Sequence, residues 1–185
     1  MDKFFGNLHA VMAAALVLAL VVIFAVPANA DTTQAVLRWL HLFFGITWIG
    51  LLYYFNFVQI PTMPKVPAEL KPGVSKYIAP SALFFFRWAA ALTVLTGLAV
   101  AWTSNYLIEA LSLQPTYRLI GIGMWLALIM AFNVWFVIWP NQKKALGLVP
   151  AEDAAKAKAA RTAMITSRIN TLLSIPMLLC MTNFH

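Results

Sequence analysis

The stretch RWLHLFFGITWIGLLYYFNFVQIPTMPK, residues 38–65, decides the fold. It is almost wholly apolar and aromatic, and it exceeds the roughly 20 mostly apolar residues that a membrane helix needs. Its few polar groups fall in one row. On a helix, His41, Gly45, Trp48, Leu52, Asn56 and Gln59 recur every three or four residues and share a face. Polar side chains within a span turn toward neighbouring helices rather than lipid. The row is therefore expected to be the inner face of a membrane helix. Gly45 is expected to leave a notch beside His41, where another helix or a flat cofactor approaches closely.

Composition extends this reading to the whole chain. Hydrophobic residues make up 62% and charged residues 10%, against about 45–50% and about 25% in soluble domains. That balance excludes a soluble domain, because water does not solvate so much apolar surface. Besides 36–59, four apolar segments are long enough to span: 8–26, 82–103, 118–139 and 162–182. The net charge of +7 does not indicate nucleic acid, since the basic residues sit in short loops and form no continuous patch. The single cysteine, Cys180, excludes an intrachain disulfide and a Cys-rich metal site. No zinc motif, paired carboxylates, catalytic triad or phosphate loop is present, so no metal site and no catalytic residue are assigned.

Charge sets the expected topology. Residues 61–78 and 141–161 together hold eight Lys and Arg, whereas 104–117 holds none. The positive-inside rule places the two basic loops in the cytoplasm and 104–117 outside. Residues 1–30 read as a signal peptide, with Ala28-Asn29-Ala30 as a small-x-small cleavage site, or as a retained anchor. The second domain is 31–185. Pro61, Pro64 and Pro67 are expected to end the second span in extended chain, and Pro140 to stop the fourth after Trp139. The alanine-rich 151–161 is expected to form a short surface helix leading into the last span. Pro176 is expected to kink that span.

The chemistry-bearing candidates are few. His41 either hydrogen-bonds a neighbouring helix or serves, with Gly45 and Trp48, as a haem b site. A second axial histidine has only His9 and His185 to come from, and the eight methionines offer another ligand type. Arg87 lies inside a span, where a charge must find carbonyls, the headgroups or an anion. Arg168 repeats this in the last span. Asn56, Gln59, Asn133 and Asn141 fall at nearby depths, so Arg87, Arg168, Asn56 and Asn133 form either an anion pocket or an interhelical hydrogen-bond network.

Four motifs, WLHLFFGITWIG, FFFRWAAALTVLTG, NVWFVIWPNQKKALG and SRINTLLSIPML, resemble the N-terminal membrane domain of the bacterial cytochrome c-type urate oxidase (urate hydroxylase) family. The resemblance runs from about residue 36 to 182. It implies a polytopic bacterial inner-membrane protein, urate or purine chemistry, and a c-type cytochrome as redox partner. The sequence departs from that pattern in lacking a Cys-x-x-Cys-His site, and it reads FFFRWAA where the family carries an FxWEA motif. The expectation is accordingly a stand-alone form: an all-α, polytopic four-helix bundle with an additional N-terminal helix. The expected role is a non-catalytic membrane subunit or anchor for a c-type cytochrome or respiratory-complex partner. The alternatives are a haem b protein using His41, and purine oxidation or binding at the arginine pocket.

The topology is directly testable. A cysteine introduced at Asn105 should be labelled by an impermeant maleimide from outside, and one at Lys144 should not; the reverse pattern would invert the assignment.

Overall fold

The computed structural model describes residues 2–25 and 31–183. Ala28-Asn29-Ala30 and His185 lie outside the described residues. Among the described residues every regular element is helical. After a short turn, Asp2–Phe5, come α1 (Leu8–Ala25), α2 (Thr32–Lys65), α3 (Lys71–Thr103), the short α4 (Leu107–Leu111), α5 (Pro115–Ala145) and α6 (Asp153–Thr182). All but α4 are long and apolar enough to cross a membrane. α1 buries none of its residues. The core lies among the other four long helices, with α2 along α3, α5 along α6, and lighter contacts between α3 and α5 and between α6 and α2.

The helices run further than the apolar segments suggest, and the prolines explain how. Three π-helical stretches interrupt the long helices: Tyr54–Gln59, Val74–Ile78 and Asn133–Ile138. Each ends two residues before a proline: Pro61, Pro80 and Pro140. The intervening Ile60, Ala79 and Trp139 each donate their backbone N–H five residues back, to Phe55, Val74 and Val134. A proline in a helix lacks a donor and crowds the carbonyl four residues before it. The wider π-turn relieves that crowding while the preceding donor stays paired. Pro140 therefore does not stop α5, which continues to Ala145. Pro61 and Pro64 likewise sit within helical turns, and the chain first becomes extended at Val66, with ψ 128°, directly before Pro67. Residues 151–161 do not form a separate helix, because α6 begins at Asp153 and runs through Pro176 to Thr182.

α6 carries the bonds that set the register of its neighbours. Asn170 and Ser174 are fully buried, and Ser167 nearly so. Asn56 Nδ2 on α2 donates to Ser167 Oγ at 2.8 Å. Asn133 Nδ2 on α5 donates to Asn170 Oδ1 at 2.8 Å, and Asn170 Nδ2 donates to the Met130 carbonyl at 2.9 Å. Ser174 donates its one proton to the Thr171 carbonyl at 2.8 Å, so Tyr53 is the donor in the 3.0 Å bond to Ser174 Oγ.

The turn after α3 is built. Asn105 takes φ 57°, and Tyr106 N–H bonds the Ala101 carbonyl while Asn105 N–H bonds that of Trp102. This left-handed cap closes α3, and asparagine tolerates it better than most residues. α4 then folds back on α5 at Gly121, where an added Cβ would run into the Ala110 carbonyl.

Asn170→Leu should lower stability by about 1–2 kcal/mol, since it removes two interhelical bonds and leaves the Asn133 side-chain amide unpaired. Unfolding in mixed micelles measures it; a variant as stable as the parent would show that the bonds do not hold the register.

Candidate functional site: a cavity at His41

His41 is held by α3, not by a notch on its own helix. Its Nδ1 lies 2.9 Å from the Thr93 carbonyl. A carbonyl only accepts, so Nδ1 carries the proton and the neutral ring has its lone pair on Nε2. Nε2 has no hydrogen-bond partner among the described residues. The ring lies against Gly97, where an added Cβ would sit 2.7 Å from Cε1. Gly45 faces only Thr93, and a Cβ there would meet Cγ2 at an ordinary 3.8 Å. The notch beside His41 is therefore Gly97, and Gly45 is an ordinary contact. The signal for Gly97 was present in the sequence: Thr93-x-x-x-Gly97 is a small-xxx-small pair, the pattern by which membrane helices approach closely.

His41 lines a partly open cavity of about 860 Å³ between α2, α3, α5 and α6 near the Asn105 end. Gly45, Trp48, Thr93 and Gly97 line the α2–α3 side. Met124, Met177 and Met181 line the α5–α6 side. The walls are largely aliphatic, so the polar groups among them stand out. Trp48 is fully buried, and its indole N–H has no acceptor. Arg38, exposed, sits at the rim. Tyr106 also lines the cavity; burial raises its phenol above the ordinary value, partly opposed by Arg38. It is thus a neutral hydroxyl at physiological pH. The Trp48 N–H, a buried donor without an acceptor and costly in hydrocarbon, is itself sealed within the helix packing.

The second group of candidates is dispersed. None of Arg87, Arg168, Asn56 and Asn133 lines the cavity. The Arg87 guanidinium stacks 3.9 Å from the centroid of the Trp139 ring and approaches the Leu83 carbonyl at 3.4 Å. Its own carbonyl accepts from Trp135 Nε1 at 3.0 Å. Arg168 is exposed. Asn56 and Asn133 are bonded to α6, through Ser167 and Asn170. Asn141 bonds the Val137 carbonyl of its own helix at 2.8 Å. The buried Asn56 Oδ1 and Gln59 Oε1 have no donor. His9 is exposed on α1. No group of three or more metal-ligating side chains occurs among the described residues.

Fold and site together describe, among the described residues, an all-helical arrangement with membrane-length helices and a partly open cavity between them. Residues 101–185 of this chain match the family described as urate oxidase N-terminal. The match includes the NVWFVIWPNQKKALG and SRINTLLSIPML motifs and agrees with the resemblance drawn from the sequence. It covers α4, α5, α6 and the Met wall of the cavity, while His41 and Gly97 precede it. No curated protein and no solved structure matches the chain.

The two glycines make a paired test. Gly97→Ala should lower stability by about 1–3 kcal/mol, because the new methyl displaces an imidazole bonded to Thr93. Gly45→Ala should change it by less than about 0.5 kcal/mol. Thermal unfolding in detergent compares them, and equal effects would contradict the assignment of the notch.

Proposed function

We propose that this chain is a non-catalytic inner-membrane subunit of a redox assembly, holding haem b in the cavity with His41 as an axial ligand. One observation carries the reading: a backbone carbonyl fixes the His41 tautomer, leaving an unprotonated Nε2 on a ring that borders a cavity of about 860 Å³. A carbonyl on the far ring nitrogen is the support that ligating histidines commonly have, since it sets the tautomer and orients the ring. The other lining groups suit the same guest. Arg38 at the rim supplies positive charge for a haem carboxylate. The thioethers of the opposite wall are soft ligands of a kind found on haem iron.

Bound there, haem would supply one-electron exchange. The protein's own part is to hold the imidazole, to exclude water with an aliphatic wall, and to fix the distance to a partner. By the charge rule the cavity lies toward the outer face, the side on which a c-type cytochrome or respiratory-complex partner would dock. The urate oxidase N-terminal match supports the same role, since the resembling family pairs its membrane domain with a c-type cytochrome. Arg87, stacked on Trp139 and away from the cavity, serves anchoring at the cytoplasmic boundary better than substrate binding.

The test is spectroscopic. Protein purified from haem-replete cells should show a Soret band and a haem b pyridine haemochrome. His41→Ala should abolish both, while Arg87→Ala should leave the Soret band in place. Folded wild-type protein that takes up no haem on reconstitution would end this reading and leave the membrane anchor alone.

A further inference from the structure

A cationic site and an apolar trough adjoin on the seam of α3 and α5. We infer that together they hold one anionic phospholipid, its phosphate at Arg87 and Lys143 and an acyl chain in the trough. This site gives the anchoring Arg87 a ligand, and it stands whether or not the His41 cavity holds haem.

The Arg87 guanidinium lies 3.9 Å from the centroid of the Trp139 ring and 5.4 Å from that of Phe84. Lys143, one helical turn beyond Trp139, places its Nζ 5.6 Å from the centroid of the same Trp139 ring. Both cations are partly buried. Neither has a carboxylate within ion-pair distance among the described residues, where Lys156 pairs with Asp153. A guanidinium carries five N–H groups, and that of Arg87 approaches one acceptor, the Leu83 carbonyl at 3.4 Å. An aromatic face holds a guanidinium in place but leaves free the N–H edge that pairs with phosphate oxygens. Two cations drawn to one ring, with no carboxylate between them, repel each other and call for an anion.

Trp135 joins the charges to the trough. Its Nε1 donates to the Arg87 carbonyl at 3.0 Å, and its ring lines the trough. From there a space of about 440 Å³ follows the seam toward the Asn105 end, between Ala91, Leu95 and Leu98 of α3 and Leu128, Ala131 and Phe132 of α5. Leu95 and Phe132 are largely exposed, so the trough opens toward lipid. Leu98 and Leu128 separate it from the His41 cavity, which they also line. Leu98 is eleven residues from Arg87, about 16 Å along a helix. The hydrocarbon of one leaflet is about 15 Å deep, half of a bilayer core of about 30 Å. The trough thus has the length of one acyl chain.

Trp139 and Lys143 lie in the other direction, toward the basic loop that the charge rule places in the cytoplasm. Cations at the headgroup level with an apolar trough leading to the midplane match a phospholipid of the cytoplasmic leaflet. Basic pockets between membrane helices at that face recognise anionic headgroups. A soluble anion would have no use for the trough, and a zwitterionic lipid no use for the second cation.

The full-length protein, delipidated in a non-ionic detergent, is titrated with phosphatidylglycerol or with phosphatidylcholine of the same chains. Native mass spectrometry counts the first bound lipid. Wild type should bind phosphatidylglycerol the more tightly. Arg87→Gln and Lys143→Gln should each weaken that binding about fivefold, the contribution of one basic residue near an anionic surface, with a smaller effect on phosphatidylcholine. Lys143→Gln, at a partly exposed position, keeps the test open if the Arg87 variant folds poorly. Ala91→Phe fills the trough and leaves both charges, so it should weaken both lipids. Lys158→Gln, at an exposed position on α6, should change neither. Equal affinity of wild type for the two lipids overturns the site. So does a Lys158→Gln effect as large as that of Lys143→Gln, which would reduce it to diffuse attraction. If inorganic phosphate stabilises the delipidated protein against heat as much as phosphatidylglycerol does, the cations serve a free anion and the lipid assignment falls.

Discussion

Helices in a bilayer gain little from burying apolar surface against one another, because lipid tails are equally apolar. Something else must set their register, and in this chain it is the row of small polar groups on α6. Ser167, Asn170 and Ser174 each bond a different partner: Asn56 on α2, Asn133 and the Met130 carbonyl on α5, and Tyr53 on α2. Each such bond contributes only about 1 kcal/mol between membrane helices. Their value is positional. Sliding α6 by one residue would strand several buried polar groups at once, and stranded groups are costly where no water reaches.

The same accounting governs the backbone. Of the prolines inside long helices, Pro61, Pro80 and Pro140 are each preceded by a π-turn that keeps the adjacent donor paired, whereas α6 runs through Pro176 without one. The π-turns at Tyr54–Gln59 and Asn133–Ile138 begin beside or at the two asparagines that reach α6. A π-turn adds a residue to the helical turn and so rotates the helix beyond it. Proline position, helix phase and the aim of Asn56 and Asn133 are therefore one problem with one solution. This is also why the helices outrun their apolar segments: a proline that reads as a stop becomes tolerable when the turn before it widens.

Much of this was legible in the sequence. The five membrane-length helices follow from runs of apolar residues, and the buried row Trp48, Leu52 and Asn56 follows from helical spacing, because both depend on neighbours in the chain. The partner of His41 was not legible in the same way. Which glycine receives an imidazole depends on how α3 is rotated against α2, and that is set by contacts between residues distant in sequence. Gly45 is one turn away on the same helix, whereas Gly97, on another helix, is the one that lacks room for a methyl. The arginines misled for a related reason. The sequence led to an expected shared depth for Arg87 and Arg168, but depth without helix rotation says nothing of direction, and one stacks on Trp139 while the other is exposed.

The position of the cavity is set by where the helices are drawn together. At the level of His41, α2 is pressed to α3 through the ring against Gly97, and α5 is pressed to α6 through Gly123 against Cys180. Within each pair the helices cannot come closer. Between the pairs, the α2–α6 hydrogen bonds, Asn56 to Ser167 and Tyr53 to Ser174, start from residues further along α2 toward its Lys65 end. The two pairs are thus tied to one another by hydrogen bonds away from the Asn105 end. A space between them near the Asn105 end is what remains, with Tyr106 and Ile120 in its lining. Filling it with a larger aliphatic side chain would cement the helices together. The sequence instead leaves an imidazole with a free nitrogen along its wall. That is a group that hydrocarbon cannot satisfy and that a ligand can.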